Sequence, residues 1–116
     1  MIKEQRRYPR LSKSLPLKIS SQDFDIVTQT KNISCIGAYC SVNTYIAPMS
    51  KLKITLLLPE KNNSSKQISK KVNCIGVVVR TEKAHSKNYN IAIFFEQIQE
   101  RERVKLENYI QQHLSS

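Results

Sequence analysis

Lys51-Leu52-Lys53-Ile54-Thr55-Leu56-Leu57-Leu58-Pro59 decides the fold of this 116-residue chain. Leu52, Ile54, Leu56 and Leu58 alternate with Lys51, Lys53 and Thr55, the period of two that marks a half-buried β-strand. Pro59, which has no N–H to give a ladder, is predicted to end that strand. The Asn- and Ser-rich stretch Glu60 to Lys66 then reads as a solvated hairpin loop, and the β-branched run around Val72, Ile75, Val77, Val78 and Val79 as the returning strand. A second loop, His85-Ser86-Lys87-Asn88, leads into a strand from Tyr89 to Phe95. Both faces of that strand are apolar, with Ile91, Ile93 and Phe95 on one side and Ala92 and Phe94 on the other, which predicts that its outer face is covered. The expected cover is an amphipathic helix over residues 98–114, in which Ile98, Leu106, Tyr109, Ile110 and Leu114 form one stripe.

Towards the N-terminus the same period recurs. Ala38 to Val42 reads as a short strand; Leu15, Leu17 and Ile19 share a face, and Phe24 and Ile26 restart the pattern in a segment running to about Lys31. That segment delivers the chain to a turn, Asn32-Ile33-Ser34-Cys35-Ile36-Gly37. Residues 1–14 have no periodic apolar pattern, and Tyr8-Pro9 favours extended backbone. The expectation is a mainly β protein: a six-stranded antiparallel β-barrel with a C-terminal α-helix over residues 15–114, preceded by a flexible basic arm over residues 1–14. The length suits one hydrophobic core.

The formal charge is +10, and residues 1–18 hold six cations (Lys3, Arg6, Arg7, Arg10, Lys13, Lys18) against Glu4 alone. Such a field favours anionic partners without choosing among them. No apolar run approaches the roughly 18 residues needed to cross a bilayer, and the start lacks a signal-peptide pattern. A cytoplasmic protein without membrane insertion is expected. Cys35, Cys40 and Cys74 lack metal-ligand spacing and read as small buried or half-buried thiols.

Two polar motifs carry the chemistry. The first is R-x-x-x-R, Arg6 to Arg10, within Arg6-Arg7-Tyr8-Pro9-Arg10; the second is N-x-S-x-x-G, formed by Asn32, Ser34 and Gly37. An arginine fork matches guanine O6 and N7, its plane stacks on a purine, and its charge pairs with phosphate. Asn32 offers an amide to a base edge, Ser34 a hydroxyl, and Gly37 positive φ or a close backbone approach. Either motif alone has an ordinary explanation, a solvated basic arm or an Asx-type turn. Together they suit a guanine-containing, phosphate-bearing ligand.

With these two motifs, the alternating strands and the terminal helix, the sequence from Arg6 to Leu114 resembles the PilZ domain, a bacterial receptor module for cyclic di-GMP. The resemblance implies a six-stranded barrel over whose surface the arginine arm folds onto bound cyclic di-GMP. It assigns ligand contacts to Arg6 and Arg10, with Asn32, Ser34 and Gly37 as the barrel half of the site and Arg7 beside them. It implies a stand-alone receptor that changes conformation on binding and signals to a downstream protein effector, with no cofactor; a homodimer is compatible with it. Members often carry Asp where this chain has Asn32, which keeps the acceptor oxygen, and glycines where it has Tyr89-Asn90-Ile91-Ala92.

Other classes fit less well. A basic barrel that binds single-stranded nucleic acid needs stacking aromatics, yet the chain has eight, several of them assigned to the core. A PilZ-like protein-interaction module without nucleotide binding has no need of the arginine pair. Catalysis is not expected: Asp23 and Asp25 stand without a partner base, His85 and His113 read as surface residues, and two glycines exclude a P-loop.

Overall fold

Strand β4 (Lys51–Lys61) bears out the alternation, with Leu52, Ile54, Leu56 and Leu58 buried and Lys51 and Lys53 exposed. It is one of six strands in the computed structural model, which describes residues 8–61 and 67–114. The others are β1 (Pro16–Ser20), β2 (Asp25–Ser34), β3 (Gly37–Val42), β5 (Gln67–Lys83) and β6 (Tyr89–Gln97), followed by helix α1 (Glu100–Leu114). All neighbours are antiparallel and the sheet closes as a barrel in the order β1-β2-β3-β6-β5-β4. Closure gives every strand a partner on both sides over part of its length and turns its apolar face onto one core.

Pro59 does not end β4, which continues to Lys61 and pairs Pro59 with Ser69. Strand β1 reaches only Lys53 to Leu56 of β4, so the residues beyond have β5 on one side and an open edge on the other. Proline is tolerated at such an edge because its missing N–H removes no ladder bond. Most of the loop expected over Glu60 to Lys66 lies outside the described residues. The loop at His85 to Asn88 is as expected. Ser86 and Lys87 both take positive φ, 59° and 67°, the geometry of a two-residue turn whose twist matches the strands it joins.

The segment read as an arm enters the core at its far end. Leu11 is buried and forms a two-way bridge with Ile33, its N–H donating to the Ile33 carbonyl at 2.8 Å and its carbonyl accepting the Ile33 N–H at 3.0 Å. Thr30 ties down the next turn of chain. Its hydroxyl donates to the Lys13 carbonyl at 2.6 Å and accepts the Leu15 N–H at 3.0 Å.

Helix α1 buries Leu106, Tyr109 and Ile110, as its stripe predicts, but Leu114 is 42% exposed and Glu102 occupies the buried face instead. The reason is an unfinished edge on β5. Strand β6 pairs with β5 only from Ile75 onward, leaving backbone groups before it without a ladder partner on that side. Glu102 Oε1 accepts the Asn73 N–H at 2.9 Å, and Lys105 Nζ donates to the Lys71 carbonyl at 2.8 Å. The two side chains, three residues apart and paired at 3.0 Å, replace a missing strand.

Partial burial pushes the Glu102 carboxyl up, but the Asn73 N–H and the Lys105 and Arg101 cations outweigh it and the net shift is downward. With the folded value below the unfolded one, this carboxylate stabilises the fold above the ordinary carboxylate range, and the contribution is lost as pH falls through the lowered value. Glu102→Gln should cost about 1–2 kcal/mol at pH 7, with the two proteins converging in acid. Urea unfolding at both pH values checks this; an equal difference at both would remove the ionic contribution.

Candidate functional site

The site is built on the outer face of β2, β3, β6 and β5, and an irregularity in β2 sets it up. Registers run Thr30 to Cys40 and then Asn32 to Tyr39, so Lys31 is an extra residue and the strand is bulged. Before the bulge the even-numbered residues, ending with Thr30, face inward; after it the inward residue is Ile33, fully buried against Ala38. The bulge thereby turns Asn32 outward.

Two cross-strand rows follow from the registers. One is Asn32, Tyr39, Ala92 and Arg80; the other is Ser34, Gly37, Phe94 and Val77. A second bulge, between Val78 and Arg80, brings Arg80 opposite Ala92. All of the row residues except Val77, which is buried, line a groove of about 600 Å³, to which Arg10, Ile36 and Val79 also contribute.

Of the arginines expected at the site, Arg6 and Arg7 lie outside the described residues. Arg10 is in place: it springs from the Leu11–Ile33 bridge, and its Nη1 donates to Asn32 Oδ1 at 2.8 Å. Asn32 and Ser34 stand on β2 rather than in a six-residue turn, since β2 continues to Ser34 and only Cys35 and Ile36 make the turn. Ser34 is 3% exposed and accepts the Ile36 N–H at 3.2 Å. That bond uses a lone pair and leaves its O–H as a donor.

Gly37 does not use positive φ, which no described glycine adopts. It is needed for space: a Cβ there would lie 2.4 Å from the Ile93 carbonyl oxygen. On the far side of β6, a Cβ at Gly76 would meet Ile93 Cγ2 at 2.6 Å. Both glycines of the chain therefore let neighbouring strands close on Ile93.

The expected cover over β6 is not α1, which packs against β5 and β2. Phe94 remains 44% exposed and Val79 53% exposed, and both line the groove. The apolar outer face of β6 is thus the floor of the candidate site.

Sequence reading missed Tyr39, Arg80 and Phe94 as site residues. Tyr39 donates its hydroxyl to Glu82 Oε1 at 3.2 Å, Arg80 Nε pairs with Glu82 Oε2 at 3.1 Å, and Arg80 Cζ stands 5.9 Å from the Tyr39 ring centre. One signal was available, the unbroken Val77-Val78-Val79, which fits simple alternation badly and precedes Arg80.

The remaining reactive groups lie elsewhere. Burial pushes the Cys40 and Cys74 thiols up to about 12, so neither is poised as a nucleophile. Among the described residues, no group of three or more His, Cys, Asp or Glu could hold a metal ion. No helix among them is long and apolar enough to cross a membrane.

The PilZ domain family model matches residues 4–112. The chain belongs to the PilZ domain family. Solved structures share the PilZ fold at low identity. The Bacillus subtilis inhibitor of motility, MotI/DgrA, superposes with a TM-score of 0.81 at 20% identity, covering 97% of this chain and 53% of that one. The PilZ domain of Escherichia coli YcgR with c-di-GMP gives 0.64 at 11%, covering 94% and 91%. The K. pneumonia MrkH–c-di-GMP complex gives 0.67 at 15%, covering 98% and 53%. This chain thus spans about half the length of the MotI and MrkH chains. No curated protein sequence matches it.

Because the atom in the way at Gly37 is backbone, Gly37→Ala must move β3 from β6 and should cost about 1–3 kcal/mol. Urea unfolding measures it; an unchanged midpoint would mean that the two strands have room to spare.

Proposed function

We propose that this PilZ domain is a non-enzymatic cytoplasmic receptor for cyclic di-GMP, and that ligand binding alters a surface read by a downstream protein. The observation that carries the reading is the 2.8 Å bond from Arg10 to Asn32 at the edge of the groove. It brings one residue of each sequence motif together. Both groups are suited to exchange this bond for ligand contacts: Arg10 for phosphate or a guanine edge, Asn32 for a base edge. The Ser34 hydroxyl, facing the same groove, has a proton to donate. In this reading Gly37 keeps the floor low.

Arg6 and Arg7 complete the clamp in the proposal. Six cations among residues 1–18 repel one another when the arm closes, and a ligand with two phosphodiesters relieves that repulsion. Closure of the arm is the conformational signal, because it covers Phe94 and Val79 and replaces an apolar, partly exposed floor with arginine side chains. YcgR and MrkH were solved with c-di-GMP, which supports the ligand class. The MotI relative is an inhibitor of motility, which makes motility control the first process to examine.

Calorimetric titration with cyclic di-GMP tests the reading. Arg10→Ala and Asn32→Ala should each weaken binding about tenfold to a hundredfold, the worth of a charge-assisted hydrogen bond, without lowering the melting temperature. Unchanged affinity in both would place the site away from this groove.

A further inference from the structure

Arg80 is absent from both sequence motifs, yet the fold places it in the groove with Asn32 and Arg10. It ends the cross-strand row that begins at Asn32, three strand spacings and about 14 Å away. Arg10 and Arg80 therefore stand at opposite ends of one groove. Between Tyr39 and Arg80 the row carries only the small side chain of Ala92. This leaves the guanidinium over the Tyr39 ring, 5.9 Å from its centre.

Glu82 fixes that arrangement. It accepts the Tyr39 hydroxyl through one oxygen and holds Arg80 through the other. The contact to Arg80 is made through Nε, so the end-on pair of Nη groups is left for a second acceptor. Two acceptors side by side on a flat ring, guanine O6 and N7, match that pair, whereas adenine presents an amino donor at the first position.

Resting on the reading of this groove as a cyclic dinucleotide site, we infer that Arg80 is its guanine-selecting residue. It engages the O6/N7 edge of the base farther from Arg10, while Tyr39 and Glu82 hold its plane. The selection works by mismatch: a site committed to donating at both positions leaves an unpaired donor facing adenine.

The test is titration of the wild-type chain, Arg80→Ala, Arg80→Lys and Arg10→Ala with cyclic di-GMP and with cyclic di-AMP. Arg80 is exposed, so both of its variants should keep the wild-type melting temperature. The wild-type protein should prefer the guanine ligand, and both Arg80 variants should lose about tenfold to a hundredfold of that preference. Arg80→Lys is the sharper variant, because it keeps the charge and removes the fork. Equal weakening of both ligands, or full selectivity in Arg80→Lys, would reduce Arg80 to a phosphate-attracting charge and overturn the inference. Loss of binding in Arg10→Ala with both Arg80 variants unaffected would overturn it and leave the groove reading standing. A wild-type chain that binds neither dinucleotide would end both.

Discussion

Lys31, a single extra residue in β2, decides which side chains this barrel keeps and which it shows. Up to Thr30 the strand obeys one inward set; from Ile33 it obeys the other. Without that shift, continued alternation would aim Asn32 at the core and Ile33 at solvent, costing an unpaired buried amide and an exposed apolar side chain. The bulge is held from both sides. Thr30, buried just before it, binds the backbone at Lys13 and Leu15, and Ile33, just after it, bridges to Leu11. The same four hydrogen bonds that secure the bulge fix the root of the arginine arm, so Arg10 and Asn32 are positioned by one device.

A second constraint shapes the floor. Strand β6 lies between two neighbours that close on Ile93, each through a glycine, and the chain has no others. The tight packing leaves Gly37 and Ala92 as low points of the outer face, with Tyr39, Arg80 and Phe94 rising around them. An apolar outer face would ordinarily need a cover. Helix α1 is committed elsewhere, because the unfinished edge of β5 offers backbone groups that Glu102 and Lys105 satisfy. The groove is therefore open for the same reason that the helix is anchored: β6 stops pairing at Ile75.

The strands were legible because alternation in Leu52 to Leu58, Leu15 to Ile19 and Ile91 to Phe95 reflects a direct energetic rule, burial of every second side chain. The helix was legible from Leu106, Tyr109 and Ile110, although its buried glutamate was not. Glu102 gives no visible sequence signal because the group it reaches on the buried face is the backbone N–H of Asn73, 29 positions earlier in the chain. Pro59 misled for a related reason: whether proline breaks a strand depends on which neighbour lies on its N–H side, and β1 stops short of it.

For the candidate site, Arg10, Asn32, Ser34 and Gly37 stood out through their local chemistry taken together with the family resemblance, because arginine forks, amides, hydroxyls and a missing Cβ have recognisable uses wherever they stand. Which of them meet, and what joins them, was settled by the barrel. Bulges at Lys31 and Val79 obey no periodicity, yet each turns the residue after it towards the groove. Tyr39, Arg80 and Phe94 enter the site through pairings between strands far apart in the chain. Side-chain chemistry is a property of the residue, whereas facing direction and neighbourhood belong to the closed sheet.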